Sequence, residues 1–408
     1  MALREVLETD LLTISSRLFD ELGFEMRMIV MLALAVILAP PLACAKVTTP
    51  QTCDQPAAMS DGWHIAAPEK EGLDPKLMCS IGPSLEKLRG ADPDGVVVVR
   101  HGALVYEHYF ADGTTYGPDT LHGVKSVTKS VVGLLVGIAV DRGWLKSIDD
   151  RLSSYVPDDA DLQTQGKDTI TLRDLLTMTS GLNWPEVAIP YRDPSNIETR
   201  KNMALNPYRF ILAQPLAETP GTMWNYNSGG VELLGDVLMK VSHESLDKFA
   251  QQVLFDPLGI THQAWLSSPG GKLMASGGLW LRPRDMAKIG QLVLNHGNWN
   301  GQQIVSAQWI SDMVAPHVPL PSEYRSGGPY PGYTGSAYGY LWWLGRLKTP
   351  DRSIDWIAGV GWGGQRLYVV PSLDLVIAVT ASKYNGNGAQ YLAGYTVLDI
   401  VSRAAMEH

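Results

Sequence analysis

His122-Gly123-Val124-Lys125-Ser126-Val127-Thr128-Lys129-Ser130-Val131-Val132-Gly133-Leu134-Leu135-Val136-Gly137-Ile138-Ala139-Val140 is the stretch from which the rest of the chain is read. It reads as a serine nucleophile and its lysine at the start of a buried helix. Positions i and i+3 share a helix face, so Ser126 Oγ and Lys129 Nζ meet one turn apart. The residues that follow are apolar all round, as in a helix covered on every side. Gly133 and Gly137 let neighbouring elements approach its backbone. Desolvation depresses the pKa of a lysine at such a place, and a lysine near neutrality takes a proton from a serine hydroxyl. The helix N-terminus favours negative charge developing beside Ser126.

Ser-x-x-Lys also occurs at Ser84–Lys87 and Ser245–Lys248. Both lie in polar, amphipathic surroundings with an acid beside the lysine, which is the pattern of a solvated helix face. For Ser126, spacing and burial alone leave nucleophile and packing residue evenly matched.

With 408 residues the chain has room for two domains or one large one. Its 45% hydrophobic and 18% charged residues are those of a globular protein. A net charge of −9 argues against nucleic-acid binding and sets no substrate. No basic run or basic helix points to a membrane surface. Met26-Arg27-Met28, the apolar run Ile29 to Ala39, and Pro40-Pro41-Leu42-Ala43-Cys44-Ala45 read as a signal peptide at 26–45, within a leader at 1–45. Ala43-x-Ala45 places cleavage after Ala45 and the mature protein in the periplasm or medium. A membrane anchor and a lipid-modified Cys44 are the alternatives, and no stable membrane span is expected after cleavage. Translation is expected to start at Met26 or Met28. Cys53 and Cys79 remain after cleavage, and an even pair in an exported protein reads as one disulfide. Two free buried thiols are the other reading.

Residues 46–75 are irregular, and Leu77 to Leu88 suits a helix. Val96-Val97-Val98-Val99-Arg100, the turn His101-Gly102, and Ala103 to Glu107 form a hairpin pattern. Helices and long loops follow from Leu145 to Trp265, one starting behind a capping Thr171 and others spanning Gly230 to Val241 and Ser245 to Phe255. Strands return at Tyr340 to Leu344, Arg366 to Val370 and Leu375 to Thr380, and Tyr391 to Met406 closes the chain as a helix. Strands at both ends and helices between predict one antiparallel sheet built from both chain ends. The expected division is a sheet domain from 46–120 and 275–408, and a mostly helical domain at 121–274 with the Ser126 helix at the seam. Ligand sites favour such seams.

Two further segments carry chemistry. Pro220-Gly221-Thr222-Met223-Trp224-Asn225-Tyr226-Asn227-Ser228-Gly229-Gly230 is a loop entering a helix, and Tyr226 could serve as base or proton relay. A packing tyrosine is the bland alternative. Gly359-Val360-Gly361-Trp362-Gly363-Gly364-Gln365 matches Gly-x-Gly-x-x-Gly, but a strand follows it instead of a helix, so it is not read as a dinucleotide site. A Gly-rich strand edge instead exposes backbone N–H groups and can supply an oxyanion-hole donor. A mere tight turn is the alternative. There is no Gly-x-Ser-x-Gly elbow, no second histidine to make a zinc-protease motif of His243-Glu244, and no phosphate loop.

In this order these segments resemble the penicillin-recognising serine hydrolases, and within them the class C β-lactamase-like branch with the family VIII carboxylesterases and 6-aminohexanoate-dimer hydrolases. The resemblance covers roughly residues 60–405. It rests on Ser126-x-x-Lys129 with the apolar run after it. Leu175-Leu176-Thr177-Met178-Thr179-Ser180-Gly181-Leu182 adds to it, with Met178 where the family carries histidine. So do Pro220 through Tyr226 with Gly230 to Gly235, and Ser276-Gly277-Gly278-Leu279 with Arg284-Asp285-Met286-Ala287. The family's Tyr-x-Asn here reads Tyr226-Asn227-Ser228, and its Lys-Thr-Gly reads Trp362-Gly363-Gly364. Arg325-Ser326-Gly327 is a decoy in a Pro/Gly/Tyr-rich loop. These departures are similar to the esterase and nylon-oligomer hydrolase pattern and put β-lactam turnover in doubt.

The resemblance implies an α/β (α+β type), β-lactamase/transpeptidase-like fold: an antiparallel sheet from both chain ends, flanking helices and an inserted, mostly helical domain. Ser126 attacks an ester or amide carbonyl, and Lys129 and Tyr226 share the general-base role. The N–H groups of Ser126 and Gln365 form the oxyanion hole. Ser228, Trp362, Gly363, Gly364, Trp224 and Tyr191 are expected to contact substrate. No metal or organic cofactor is implied, and the expected partner is a small ester or amide. Alternatives are a D-alanyl-D-alanine peptidase or penicillin-binding enzyme, a weak β-lactamase, and a non-catalytic sensor on the same fold.

Overall fold

The computed structural model describes residues 56–110, 116–156, 160–164, 166–325, 332–349, 352–384 and 389–405. The expected signal peptide and Cys53 lie outside them. The described residues belong to one compact unit.

Nine strands make the main sheet: β1 (His64–Ile65), β2 (Pro93–Arg100), β3 (Ala103–Tyr109), β4 (Val318–Pro319), β5 (Tyr333–Tyr338), β6 (Trp343–Lys348), β7 (Ser353–Gly361), β8 (Gln365–Val370) and β9 (Leu375–Ala381). Their order is β1-β3-β2-β9-β8-β7-β6-β5-β4. All neighbours are antiparallel except β1 and β3. The two ends of the chain meet where β2 pairs with β9, Val98 opposite Ile377. The valine run of β2 is explained by cover on both faces. Val97 and Val99 point into one core and Val96 and Val98 into the other. Strand β9 alternates in the same way, with Val376 and Ala378 on one side and Leu375, Ile377 and Val379 on the other.

One face of the sheet carries α5 (Leu392–Ala404), whose Val397 and Val401 join the core of Val96 and Val98. The other face carries α1 (Val127–Asp141), α3 (Ser228–Ser242) and α4 (Pro283–Leu294), with α2 (Ile197–Met203) further out against α3. Helix α1 is buried on every side from Val127 to Ala139, as its apolar sequence predicts. A Cβ on Gly137 would fall 2.2 Å from the Trp309 indole. That ring is fixed there, because its Nε1 donates to Gly133 O at 3.1 Å. Gly361, at the end of β7, packs its Cα against Val124 O, where a Cβ would stand 2.5 Å away. The end of β7 therefore closes directly onto the turn that precedes Ser126.

Several expected elements differ in extent. The helix expected over Leu77 to Leu88 is two short ones, Pro75–Cys79 and Ile81–Glu86. Pro83 has no N–H to continue the first helix, and the Ser80 hydroxyl caps its end by donating to Leu77 O at 2.7 Å. The strand expected at Tyr340 to Leu344 begins only at Trp343, because Leu341 takes a left-handed conformation at φ 62°. Residues Ser245 to Phe255 split into an α-helical turn and a wider helical turn from Gln251 to Phe255. Thr171 caps its helix as expected, in a reciprocal capping box with Asp174.

Candidate active site

Ser126 is the N-cap of α1 and is half-buried. The residue before it, Lys125, is left-handed at φ 51°, which sharpens the turn out of the preceding strand pair. The N–H groups of Val127, Thr128 and Lys129 close onto the carbonyls of Val124, Lys125 and Ser126. Lys129 Nζ lies 2.9 Å from Ser126 Oγ and donates to Ser276 O at 2.7 Å. With 1% of its surface exposed, Lys129 is effectively out of water. Burial holds its ammonium below the usual lysine range and Lys201 adds to the lowering, against the opposing pull of Glu186, Glu198 and Glu232.

Tyr226 completes the cluster. Its ring centre is 5.1 Å from Lys129 Nζ, and its phenol is close enough to the Ser126 side chain to interact with it. Burial, with Tyr338 and Glu186 adding to it, pushes the phenol far above its ordinary value, and the interaction with Ser126 works against this. The loop that presents Tyr226 is pinned by the 175–182 stretch. Asn225 N donates to Met178 O at 2.8 Å, and Asn227 N approaches Met178 Sδ at 3.3 Å. Met178 is itself left-handed at φ 61° and buried.

The turn between β7 and β8 supplies the opposite wall; it was expected on a strand edge, but these two strands lie in the middle of the sheet. Trp362 is half-buried, its ring 5.4 Å from Tyr191 and stacked on Tyr384 at 4.7 Å. Gly363 and Gly364 are left-handed at φ 86° and 106°. The Gln365 side chain faces away from the cluster and straps β8 to the end of β9. Its Nε2 donates to Ala381 O, and its Oε1 accepts from Ala381 N at 3.1 Å. Only its main chain is left for an oxyanion.

The beta-lactamase family profile matches residues 87–401. This chain belongs to the beta-lactamase family. It is similar to the 6-aminohexanoate-dimer hydrolase of Paenarthrobacter ureafaciens, with 24% identity over 84% of this chain and 82% of that one. In fold it is similar to EstCE1, a hydrolase with promiscuous acyltransferase activity. There the TM-score is 0.62 and the identity 17%, over 80% of this chain and 98% of that one. It is likewise similar to a D-stereospecific amidohydrolase from Streptomyces sp., with TM-score 0.57 and 18% identity over 77% and 96% of the two chains. Two-ended antiparallel sheet, flanking helices and the Ser-x-x-Lys helix are thus those of a β-lactamase-fold serine hydrolase.

Within this beta-lactamase-family site, two expected contact residues are placed differently. Ser228 is 2% exposed and turned into the protein, its hydroxyl donating to Glu186 Oε1 at 2.7 Å and its N–H to Glu186 Oε2 at 2.8 Å. It is the first residue of α3, so its side chain anchors that helix. Trp224 stands behind Tyr226 in an aromatic cluster with Tyr324, Tyr338 and Trp343, at ring distances of 5.0, 5.8 and 5.7 Å. Tyr191 is near the β7–β8 turn but gives its hydroxyl to Glu186 Oε1 at 2.7 Å. Cys79 is disulfide-bonded.

The sequence reading missed the buried charges. Glu186 is 1% exposed and accepts from Trp184 Nε1, Tyr191 and Ser228. Glu198, Lys201 and Glu232 lie beyond Lys129. Lys125, too, lies at the site, its Nζ 4.7 Å above the Tyr384 ring. The one signal available was Glu232, a charge inside the otherwise apolar run Val231 to Leu234. Among the described residues no helix is long and apolar enough to cross a membrane.

Proposed function

We propose that this chain is an exported serine hydrolase that cleaves a small ester or linear amide through an acyl-enzyme on Ser126. The observation that carries the reading is the 2.9 Å approach of a desolvated Lys129 Nζ to Ser126 Oγ. A buried amine is neutral at a lower pH than a solvated one and so is available to take the serine proton. Oγ attacks the carbonyl, the proton passes to Lys129, and the tetrahedral oxyanion is held by the N–H groups of Ser126 and Gln365. Burial keeps Tyr226 a phenol, so it relays the proton to the leaving oxygen or nitrogen while the bond between that atom and the carbonyl carbon breaks. The acyl-enzyme forms, the alcohol or amine departs, and water deprotonated by the same pair releases the acid and frees Ser126.

The assignment of ester or linear amide substrates is supported by the uncharged Trp362-Gly363-Gly364 turn and by the likeness to a 6-aminohexanoate-dimer hydrolase and to a hydrolase with acyltransferase activity. Trp362 and Tyr191 then form the apolar wall against which the substrate lies. Export rests on the 26–45 segment, and a disulfide at Cys79 fits an oxidising compartment. The deciding experiment is intact mass after treatment with a serine-reactive phosphonate, beside Ser126→Ala and Ser245→Ala. One adduct, lost only in Ser126→Ala, is expected. No adduct on folded protein overturns the reading.

A further inference from the structure

Three charged side chains buried beyond Lys129 take no part in the steps above. Lys201, on α2, is 1% exposed, and its Nζ donates to Glu198 Oε1 at 2.8 Å, Glu232 Oε1 at 2.7 Å and Ser276 Oγ at 3.1 Å. Glu232, on α3, is 2% exposed and also accepts from Ala275 N at 2.8 Å, Ser276 N at 3.2 Å and the Ser276 hydroxyl at 2.6 Å. Apolar residues of similar volume would fill such a space at no loss of stability and often with a gain, so packing alone does not account for the trio.

What joins it to the site is one amino acid. The N–H and hydroxyl of Ser276 are held by Glu232, and the carbonyl of the same residue accepts from Lys129 Nζ. Swinging Ser276 would break both sets of bonds at once. We propose that Glu198, Lys201 and Glu232 are positioning residues that set, through Ser276, both where the Lys129 amine points and how tightly it holds its proton.

The inference rests on the reading of Lys129 as the base. The charged and titratable groups facing Lys129 are Glu198 and Lys201 from α2, Glu232 from α3, Glu186 from the loop before α2, and Tyr226. The carboxylates hold the proton on Lys129 and the Lys201 ammonium drives it off. The signs are therefore opposite within one ion pair. Glu232 is fastened by four donors and held below its ordinary value by Lys201 against the cost of burial. Among the described residues Glu198 Oε2 has no hydrogen-bond partner, and burial raises that carboxyl. Glu198 is accordingly the member whose charge can be altered with least damage to the clamp on Ser276.

The test is a direct titration of Lys129 in the full chain by NMR with 15N-labelled lysine side chains, the resonance being assigned with Lys129→Arg. Glu198→Gln is expected to lower the Lys129 midpoint, and Lys201→Met to raise it, each by at least about half a pH unit. The double variant Glu198→Gln/Lys201→Met, which removes one charge of each sign, is expected to return towards wild type. Midpoints that do not move, or that move the same way in both single variants, overturn the proposal. Where Lys201→Met does not fold, Glu198→Gln and the double variant decide: a wild-type midpoint in Glu198→Gln, or a double variant as low as Glu198→Gln, overturns it. This readout needs no turnover. Shifted midpoints without phosphonate labelling would discard the hydrolase reading and keep the relay. Labelling with unmoved midpoints would do the reverse.

Discussion

Lys129 Nζ is shared between Ser126 Oγ at 2.9 Å and the carbonyl of Ser276 at 2.7 Å, so the contact with Ser276 fixes the direction from which the amine meets the serine. The amine is a base aimed by its neighbours rather than by its own flexible stem. Lys129→Ala is expected to lower kcat/KM for an ester by ~10²–10⁴-fold, the usual contribution of a positioned acid–base group. Lys129→Arg should not rescue it, because a guanidinium does not give up its proton. Steady-state kinetics of both variants check this, and activity within threefold of wild type in either would be incompatible with the role.

Tyr226 is kept protonated by burial, and its contribution should depend on the leaving group. Tyr226→Phe is expected to cost a linear amide ~10²–10⁴-fold in kcat, since the departing amine must be protonated. A nitrophenyl ester, whose leaving group needs no proton, should lose at least tenfold less. Parallel assays on a matched amide and nitrophenyl ester separate this from an unspecific loss, which would affect both alike.

The pH dependence follows from Lys129. Only its neutral form accepts the serine proton, and burial lowers its pKa, so the rate should rise with pH through a midpoint below the ordinary lysine range of about 10.4. At high pH no fall from Tyr226 ionisation is expected before the protein unfolds, because that phenol is raised well above its usual value. A pH profile of kcat/KM tests both signs. An acid limb at or above the solvated lysine value would contradict the desolvated base.

Gly137 offers a test of packing. In an exposed helix Gly→Ala gains about 1 kcal/mol. Here the new methyl would fall 2.2 Å from an indole tied to Gly133 O. Gly137→Ala is therefore expected to destabilise by ~1–3 kcal/mol, the range for overpacked cores. Urea unfolding gives the sign directly, and a stabilised variant would show that Trp309 moves aside.

Glu186 should matter for stability as much as for chemistry. Glu186→Ala leaves the Trp184 N–H, the Tyr191 hydroxyl, and the Ser228 N–H and hydroxyl without their acceptor. Each buried donor left unpaired costs ~1–3 kcal/mol, so a loss of at least about 3 kcal/mol is expected by denaturant titration.

The parts of this molecule that were legible in the sequence are those fixed by local pattern. The hairpin around His101-Gly102 follows from its turn residues, and the buried helix behind Ser126 from its unbroken apolar run. Ser126 and Lys129 were expected together from their spacing, and Tyr226 beside them from the family resemblance. The buried charges were not legible, because Ile197-Glu198-Thr199-Arg200-Lys201-Asn202 has the composition of a solvated helix. Only the distant Glu232 and Ser276 turn one face of it inward. The resemblance put Ser228 in the pocket, at the last position of the family's Tyr-x-Asn, whereas at the start of α3 its hydroxyl donates to Glu186.

The pairing of β2 with β9 has a consequence for how this protein comes into being. Strand β2 has as its neighbour a strand far along the chain, with Arg100 opposite Leu375. The sheet against which α1 rests therefore closes only when these distant segments meet. Contacts of such long sequence separation form slowly, because the entropy of closing the loop must be met first. The sheet behind the Ser126 helix is thus completed by a contact between segments far apart in sequence, and the geometry of Ser126 and Lys129 waits on that one pairing.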